Sequence, residues 1–168
     1  MSFSIYDASI PPTLRTLDSL SKILDKAVKH AEDSKTPLSD LLEARFAADM
    51  FPFTRQVQVV SDTAKGLAAR LAGIDPPSFP DTETTFPDLQ ARLAKTIAFV
   101  KGVAPEKIQG AETRTITIKF PQGEMSFTGK DFVTFFALPN LYFHTATAYD
   151  LLRHKGVPIG KRDFLGAE

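Results

Sequence analysis

The residue best suited to acid-base chemistry in this sequence is His144, which lies in the segment NLYFHTATAYDLLRHKG at residues 140–156. Imidazole is the side chain whose ordinary pKa allows proton transfer near neutral pH. If residues 130–152 form a helix with about 100° of rotation per residue, His144 shares one face with Asn140, Thr147 and several small or apolar residues. The pattern therefore predicts that the imidazole of His144 points into the protein.

A carboxamide on another predicted helix could reach the same place. The apolar residues between positions 53 and 71 recur every three or four residues. At about 100° per residue, Gln56 lies roughly 60° from the middle of that stripe. Neutral amides can orient the carbonyl or hydroxyl group of a substrate, but they hold transition metals weakly compared with imidazole. Gln56, Asn140 and His144 therefore predict a polar pocket for a small organic ligand, without a metal or another cofactor.

This pocket suggests a class of reaction. The two carboxamides could orient a substrate while the imidazole, as the catalytic group, transfers a proton. Such a site suits an isomerase, a dehydratase or a cyclase acting on a small, partly aromatic molecule. Arg45 and Asp49 lie one turn apart if the segment LLEARFAADM is helical, which predicts that both stand near the mouth of the pocket. Together with Thr147 and the two carboxamides, they form the predicted substrate-binding set.

Two other interpretations remain open. In the first, His144 is a core histidine satisfied by the carboxamides, Arg45 and Asp49 form an ordinary i,i+4 ion pair, and the polar cluster only specifies packing. The protein would then have a structural or interaction role, with a homodimer surface on the opposite face of the helix. That face carries Tyr142, Tyr149 and Arg153. In the second interpretation, His144 still binds a metal ion with help from Asp49 or water.

Two long amphipathic helices are predicted in the first half of the chain. The first spans residues 11–32, because the pair Pro11–Pro12 suits a first turn and Ser9 can cap it. The second spans 52–72, and the proline-rich segment after it is predicted to be an irregular loop. The outer face of the second helix is predicted to be solvated. That face carries Arg55, Gln58, Asp62 and Lys65.

The second half of the chain predicts two more long helices, separated by a β-hairpin. One helix begins at Thr85, which forms a typical capping box with the aspartate three residues later. The segment RTITIKFPQGEMSFTG then alternates apolar and polar residues around a turn. The last helix starts near Lys130, is kinked at Pro139 and continues past Leu152. These elements predict a mainly α-helical protein, a four-helix bundle with a small hairpin between helices three and four.

Composition limits the classes of partner. In 168 residues, twenty Lys and Arg balance twenty Asp and Glu, which removes the electrostatic attraction that dominates nonspecific nucleic-acid binding. No run of about 18 apolar residues is present, so no membrane span is predicted. With 14 Phe and no Trp, we expect a Phe-rich interior. The prediction is one cytoplasmic domain over residues 1–168, bound to neither nucleic acid nor membrane.

The last helix resembles that of the DinB-like family of metalloenzymes. In that family the fourth helix carries two histidines four residues apart, followed by a Leu-Arg pair and then a glycine. The corresponding residues here are Asn140, His144, Leu152, Arg153 and Gly156. With its segments ARFAADMFPFTRQVQ, AKGLAARLAG and IGKRDFLG, nearly the whole chain is similar to one uncharacterised family within that superfamily. The resemblance implies a four-helix bundle.

The resemblance also implies a metal centre, at which this sequence departs from the family. In DinB-like proteins a third histidine, on the second helix, joins the other two to hold a divalent metal. Here only His144 is kept, since Asn140 replaces one histidine and Gln56 occupies the position of the helix-two ligand. One imidazole and two amides hold a transition metal poorly. The resemblance therefore implies a degenerate metal site.

Overall fold

The fold is a helical bundle with one two-stranded hairpin, as the sequence predicted. The computed structural model describes residues 3–167. Its helices are α1 (Ile5–Ser34), α2 (Leu38–Leu42), α3 (Phe53–Ala72), α4 (Phe86–Gly102), α5 (Pro105–Ile108), α6 (Gly129–Asp131), α7 (Leu138–His154) and α8 (Lys161–Leu165). Strands β1 (Thr115–Phe120) and β2 (Gly123–Thr128) form the hairpin, a 3-10 turn spans Ala111–Thr113, and a π-helical stretch spans Phe132–Ala137.

The four long helices pack in the cyclic order α1, α4, α3, α7 around a hydrophobic core. The apolar stripe predicted on α3 faces this core and is fully buried. It consists of Phe53, Val57, Val60, Ala64, Leu67 and Leu71. The two flanks of α3 therefore lie against α4 and α7, and polar side chains on those flanks can meet partners from the neighbouring helices. Within residues 3–167, no helix is both long and apolar enough to cross a bilayer.

The first helix begins earlier than predicted. The Ser4 hydroxyl accepts a hydrogen bond from the Asp7 N–H at 3.2 Å, and the Asp7 carboxylate accepts one from the Ser4 N–H at 3.0 Å. Ser9 is not a cap, because it is buried inside the helix and donates to the Ile5 carbonyl at 2.6 Å. The two prolines lie in later turns. The capping box and the burial of apolar residues before the prolines offset the two backbone hydrogen bonds that they cannot donate.

The predicted short helix at residues 41–50 is wrong. The helix α2 ends earlier, and residues 43–52 continue mainly as turns and bends. Arg45 and Asp49 are both exposed, and Arg45 contacts Glu43 at 3.5 Å. The two residues therefore do not share a helical face. The physical reason is that residues 45–49 bury no side chain, so a helix there would have no apolar face to stabilise it.

The hairpin and the third long helix match the prediction. The strands are antiparallel, with Ile116 opposite Phe127 and Ile118 opposite Met125. In α4, the Asp88 N–H donates to the Thr85 hydroxyl at 3.2 Å and the Thr85 N–H donates to the Asp88 carboxylate at 3.0 Å. Local sequence signals are therefore sufficient to locate both elements.

The last long helix contains a π-helical stretch just before Pro139, where the sequence predicted a kink. Proline has no N–H to donate to the carbonyl of Phe135, four residues earlier. Residues 132–137 adopt the wider π-helical turn, and such stretches often lie beside functional sites. Here the π-helical stretch leads directly into the part of α7 that carries Asn140 and His144.

The prediction of a solvated outer face on α3 is wrong. Gln58 is 5% exposed and Lys65 is 8% exposed, because the loop between α3 and α4 covers them. Glu83 of this loop accepts a hydrogen bond from Gln58 at 2.9 Å, and the ring centroid of Phe79 lies 5.2 Å from the Lys65 ammonium. Ionic and aromatic contacts hold the loop in place, and the periodicity of apolar residues does not reveal such contacts.

Candidate functional site

The interface of α3 and α7 brings Gln56 and His144 into direct contact. Gln56 is 2% exposed, and its amide nitrogen donates to the Phe51 carbonyl at 3.0 Å. Because a carbonyl can only accept, this bond directs the amide oxygen of Gln56 towards His144, whose Nδ1 lies 2.7 Å away. The amide oxygen can also only accept, so Nδ1 of His144 carries the hydrogen.

This arrangement leaves Nε2 of His144 as the atom available for chemistry. In a neutral imidazole with hydrogen on Nδ1, the lone pair lies on Nε2. The side chain of His144 is half-buried. Among residues 3–167 its ring is hydrogen-bonded through Nδ1 only, to Gln56. Nε2 can therefore accept a proton or a hydrogen bond from a molecule that approaches the ring.

The surroundings of His144 favour its neutral form. Burial lowers the pKa of His144 below its ordinary value of 6.5, and the positive charge of Arg55 lowers this pKa further. Both effects act against the imidazolium, one by removing water and the other by repulsion. At neutral pH, His144 is therefore a base and a hydrogen-bond acceptor.

The lowered pKa makes stability depend on pH in a defined direction. As pH falls below 6.5, the unfolded chain takes up a proton at His144 before the folded protein does. The contribution of this residue to the free energy of unfolding is therefore fully present above pH 6.5 and is lost as pH falls through the folded-state pKa.

Replacing Arg55 with glutamine is expected to raise the pKa of His144, because this substitution removes the second cause of its lowering. The measurement is an NMR titration of the imidazole C–H resonances in the folded protein. Arg45→Gln is the matched control, since Arg45 is exposed and pairs with Glu43. A pKa of His144 at or above 6.5 in the unmodified protein would contradict the assignment of a neutral imidazole.

Asn140 lies one turn before His144 and makes its own hydrogen bond to α3. Its amide nitrogen donates to the hydroxyl of Thr63 at 2.8 Å. The pairs Gln56 with His144 and Thr63 with Asn140 run in opposite directions along the two helices, so α3 and α7 are antiparallel. The amide oxygen of Asn140 accepts no hydrogen bond from the side chains of residues 3–167. This oxygen is a second acceptor one turn from His144.

The other predicted site residues do not join this group. The Thr147 hydroxyl donates to the Phe143 carbonyl at 2.8 Å, so its hydrogen is used inside α7. Arg45 and Asp49 lie in the turns before α3 and form no hydrogen bond or ion pair with Gln56, Asn140 or His144. The structure thus brings the imidazole and the two carboxamides to one helix interface, and Thr147, Arg45 and Asp49 form no hydrogen bond with any of them.

Sequence reasoning missed the aromatic surroundings of the site. Phe51 is 50% exposed and Phe143 is 61% exposed, and the ring centroid of Phe143 lies 5.1 Å from that of His144. The guanidinium of Arg55 lies 5.7 Å from the centroid of Phe51. The expectation of a Phe-rich interior is therefore only partly right. The exposed phenylalanines are Phe3, Phe46, Phe51, Phe120, Phe135 and Phe143.

One sequence signal could have identified these rings. Phe143 immediately precedes the candidate histidine, and Phe51 precedes the proline at the start of α3. Phe143 lies outside the apolar stripe of its helix and Phe51 lies between two predicted helices, and an apolar residue outside a stripe is a candidate for the surface. The site therefore combines an imidazole, two carboxamides, a guanidinium and two exposed aromatic rings.

A solved structure defines the class of fold to which this site belongs. The crystal structure of a DinB family member protein from Shewanella denitrificans matches with a TM-score of 0.89 and 42% sequence identity, and the match covers 98% of this chain and 93% of that chain. The protein is a DinB-like helical bundle, which confirms the resemblance noted in its sequence. The chain belongs to the family described as Domain of unknown function (DUF1993), whose sequence profile matches residues 5–165. No curated protein matches it.

The residues at the α3–α7 interface do not fit the metal centre that the DinB resemblance implies. His144 supplies one imidazole nitrogen, whereas the Gln56 amide is bonded on both sides and the Asn140 amide donates to Thr63. In the part of the chain from residue 3 to 167, no three His, Cys, Asp or Glu side chains form a group that could hold a metal ion. The chemistry of this site is therefore derived from the protein's own side chains.

Proposed function

We propose that the α3–α7 interface binds a small, partly aromatic organic molecule and that His144 acts on it as a general base. The supporting observation is the series of hydrogen bonds from the Phe51 carbonyl through the Gln56 amide to Nδ1 of His144. It fixes the tautomer in which Nε2 carries the lone pair. Burial and the charge of Arg55 lower the pKa of His144, so the basic form prevails at neutral pH.

The chemistry around Nε2 selects the class of ligand. The exposed rings of Phe51 and Phe143 offer apolar surface to a planar group, and the amide oxygen of Asn140 can accept a hydrogen bond from a hydroxyl. A substrate with a weakly acidic C–H or O–H next to a planar group fits this arrangement.

The reaction requires a proton transfer and no redox partner. Nε2 of His144 removes a proton from the substrate, and the resulting imidazolium returns that proton at a different position or to a departing hydroxyl. Isomerisation, cyclisation and dehydration follow this scheme. General base catalysis of this kind contributes about 100-fold to 10,000-fold in rate.

The test begins with a thermal-shift screen of small aromatic alcohols, ketones and related compounds. Ligands of this site are expected to raise the melting temperature of the unmodified protein and of the control Asp150→Asn, which alters an exposed residue of α7. The same compounds should give no shift with Gln56→Leu or Asn140→Leu. Circular dichroism of each variant verifies that the helices are intact.

The catalytic role is measured on the compounds that bind. His144→Gln keeps a polar side chain and is expected to lower turnover at least about 100-fold while binding changes much less. Turnover is followed by NMR of the substrate and product. Unchanged turnover would remove His144 from catalysis, and thermal shifts that persist in both leucine variants would place the ligand elsewhere.

The alternative is a structural or interaction protein, and the exposed phenylalanines favour it. Phe135 and Phe143 are 74% and 61% exposed on one continuous helical segment. Tyr149, on the face expected to form a dimer, is instead partly covered by Phe164 of the same chain, with ring centroids 5.9 Å apart. In this alternative the ligand screen yields no compound, and sedimentation gives twice the mass of one chain.

A further inference from the structure

A surface loop that is closed at its base lies between α2 and α3. Residues 45–52 contain neither helix nor strand. At the base, the Phe53 N–H donates to the Ala44 carbonyl at 2.9 Å, and the Thr54 hydroxyl donates to the Leu42 carbonyl at 3.0 Å. A compact loop whose two ends lie together is an Ω-loop, and loops of this kind are frequently functional. We call this segment the 45–52 loop.

The 45–52 loop is held to the rest of the protein by contacts at the surface. Residues 45–51 bury no side chain. The ring centroid of Phe46 lies 5.6 Å from that of His154 on α7, in an edge-to-face arrangement, and both residues are exposed. A segment with few buried apolar contacts can open locally while the rest of the protein stays folded. Opening the 45–52 loop therefore requires the loss of few contacts.

On its inner side, the 45–52 loop determines which way the Gln56 amide points. The Phe51 carbonyl accepts a hydrogen bond from the amide nitrogen of Gln56 at 3.0 Å. A reversed amide would direct its oxygen at that carbonyl, and neither oxygen could donate a hydrogen. While the loop is closed, the amide oxygen of Gln56 therefore faces Nδ1 of His144, which lies 2.7 Å away.

The orientation of the Gln56 amide decides what His144 can do. With the amide oxygen facing the ring, Nδ1 carries the hydrogen and Nε2 is basic. With the amide nitrogen facing the ring, Nδ1 has to accept a hydrogen bond, so its hydrogen leaves to water and Nε2 takes one from water. Nε2 is then a hydrogen-bond donor, and it can no longer remove a proton from a substrate.

We propose that the 45–52 loop regulates the α3–α7 interface by setting the tautomer of His144. The closed loop keeps Nε2 basic. When the loop opens, both orientations of the Gln56 amide become populated, and both tautomers of His144 with them. Phe46 is the positioning residue, because its contact with His154 holds the loop closed. The loop thus controls the general-base role proposed for His144, on which this regulation rests.

The test is Phe46→Ala, measured by NMR on ligand-free protein with ¹⁵N-labelled histidine at about pH 8, where the imidazole is neutral. The two ring nitrogens resonate far apart, so their signals identify the tautomer. The unmodified protein is expected to carry the hydrogen of His144 on Nδ1. In Phe46→Ala we expect signals averaged over both tautomers. The side-chain amide hydrogens of Gln56 should also exchange with water about fivefold faster.

Two variants serve as controls. Phe46→Tyr keeps the aromatic ring and should retain the tautomer and the slow exchange of the unmodified protein. Phe135→Ala removes a ring that is 74% exposed on the helical segment leading to His144, and it should change neither measurement. Because Phe46 is itself 49% exposed, its replacement should leave the core intact. Circular dichroism verifies the helices of each variant.

Two results would overturn the proposal. Unchanged histidine signals in Phe46→Ala, with faster exchange at Gln56, would show that the tautomer does not depend on the loop. Unchanged exchange at Gln56 would show that Phe46 does not hold the loop closed. Neither measurement needs a ligand, whereas the general-base function itself fails on a different result, unchanged turnover in His144→Gln.

Discussion

Replacing Arg92 with methionine is expected to lower the free energy of unfolding by about 3 kcal/mol and to release the α3–α4 loop from α3. Arg92 is the shared cation of Asp62, Asp81 and Glu83. Of the three carboxylates, Glu83 would lose the most stabilisation, because its side chain is only 11% exposed and water cannot replace the guanidinium. The side chains of Asp62 and Asp81 are 35% and 39% exposed, so water can solvate them once the guanidinium is removed. The expected loss of stability is therefore at the lower end of the range for breaking a buried ion pair.

Urea denaturation measures the loss of stability, and amide hydrogen exchange at residues 79–85 measures the release of the loop. Lys101→Met provides the control, because it removes an exposed charge from the same helix and should change stability by less than about 0.5 kcal/mol. Faster exchange confined to the loop, with slow exchange retained in α7, is the expected pattern. Unchanged exchange at residues 79–85 would show that Arg92 does not hold the loop.

The polar group around His144 and the ion pairs around Arg92 share one helix, α3. Gln56 faces α7, where it fixes His144, whereas Gln58 and Asp62 face the loop and α4. Arg55 links the two groups. It donates to Gln58 at 3.2 Å and pairs with Asp81, and its charge also lowers the pKa of His144. The apolar stripe of α3 packs in the core. One polar flank of the helix contacts His144 of α7, and the other contacts Arg92 of α4.

Local patterns predicted the elements whose stabilising interactions are themselves local. The spacing of apolar residues on α3, the capping box at Thr85 and the alternation in the hairpin each depend on residues only a few positions apart. The Ser4–Asp7 capping box is also local, and it was missed because the two prolines suggested a later start. The bundle follows from such signals, since each amphipathic face needs a partner to cover it.

The sequence could predict that Gln56 and His144 lie close together, but not how they are hydrogen-bonded. Both residues project inward from helices that pack together, but the direction of their hydrogen bond depends on the backbone carbonyl of Phe51. That carbonyl lies directly after residues 41–50, where the sequence pattern suggested a helix and the structure has mainly turns and bends. The role of Arg92 depends on loop residues about ten positions earlier and on an aspartate of α3, contacts that no short-range pattern encodes.

Gly129→Ala is expected to destabilise the protein by about 3 kcal/mol, which is large for one added methyl group. A Cβ at this position would overlap the carbonyl oxygen of Ala111 and lie 2.9 Å from its carbonyl carbon. Both atoms are backbone, so no side chain can rotate away to relieve the overlap. Ala111 precedes β1 and Gly129 follows β2. The added carbon would therefore force apart the two ends of the hairpin where they join the bundle.

Gly102→Ala is the matched control, because a Cβ at Gly102 meets no atom within 4 Å. This glycine lies at the end of α4, where alanine should leave stability unchanged or raise it by up to about 1 kcal/mol. Urea denaturation of both variants gives the comparison. A similar free energy of unfolding for the two variants would contradict the close approach of Gly129 to Ala111. A loss confined to Gly129→Ala would show that this contact sets the position of the hairpin on the bundle.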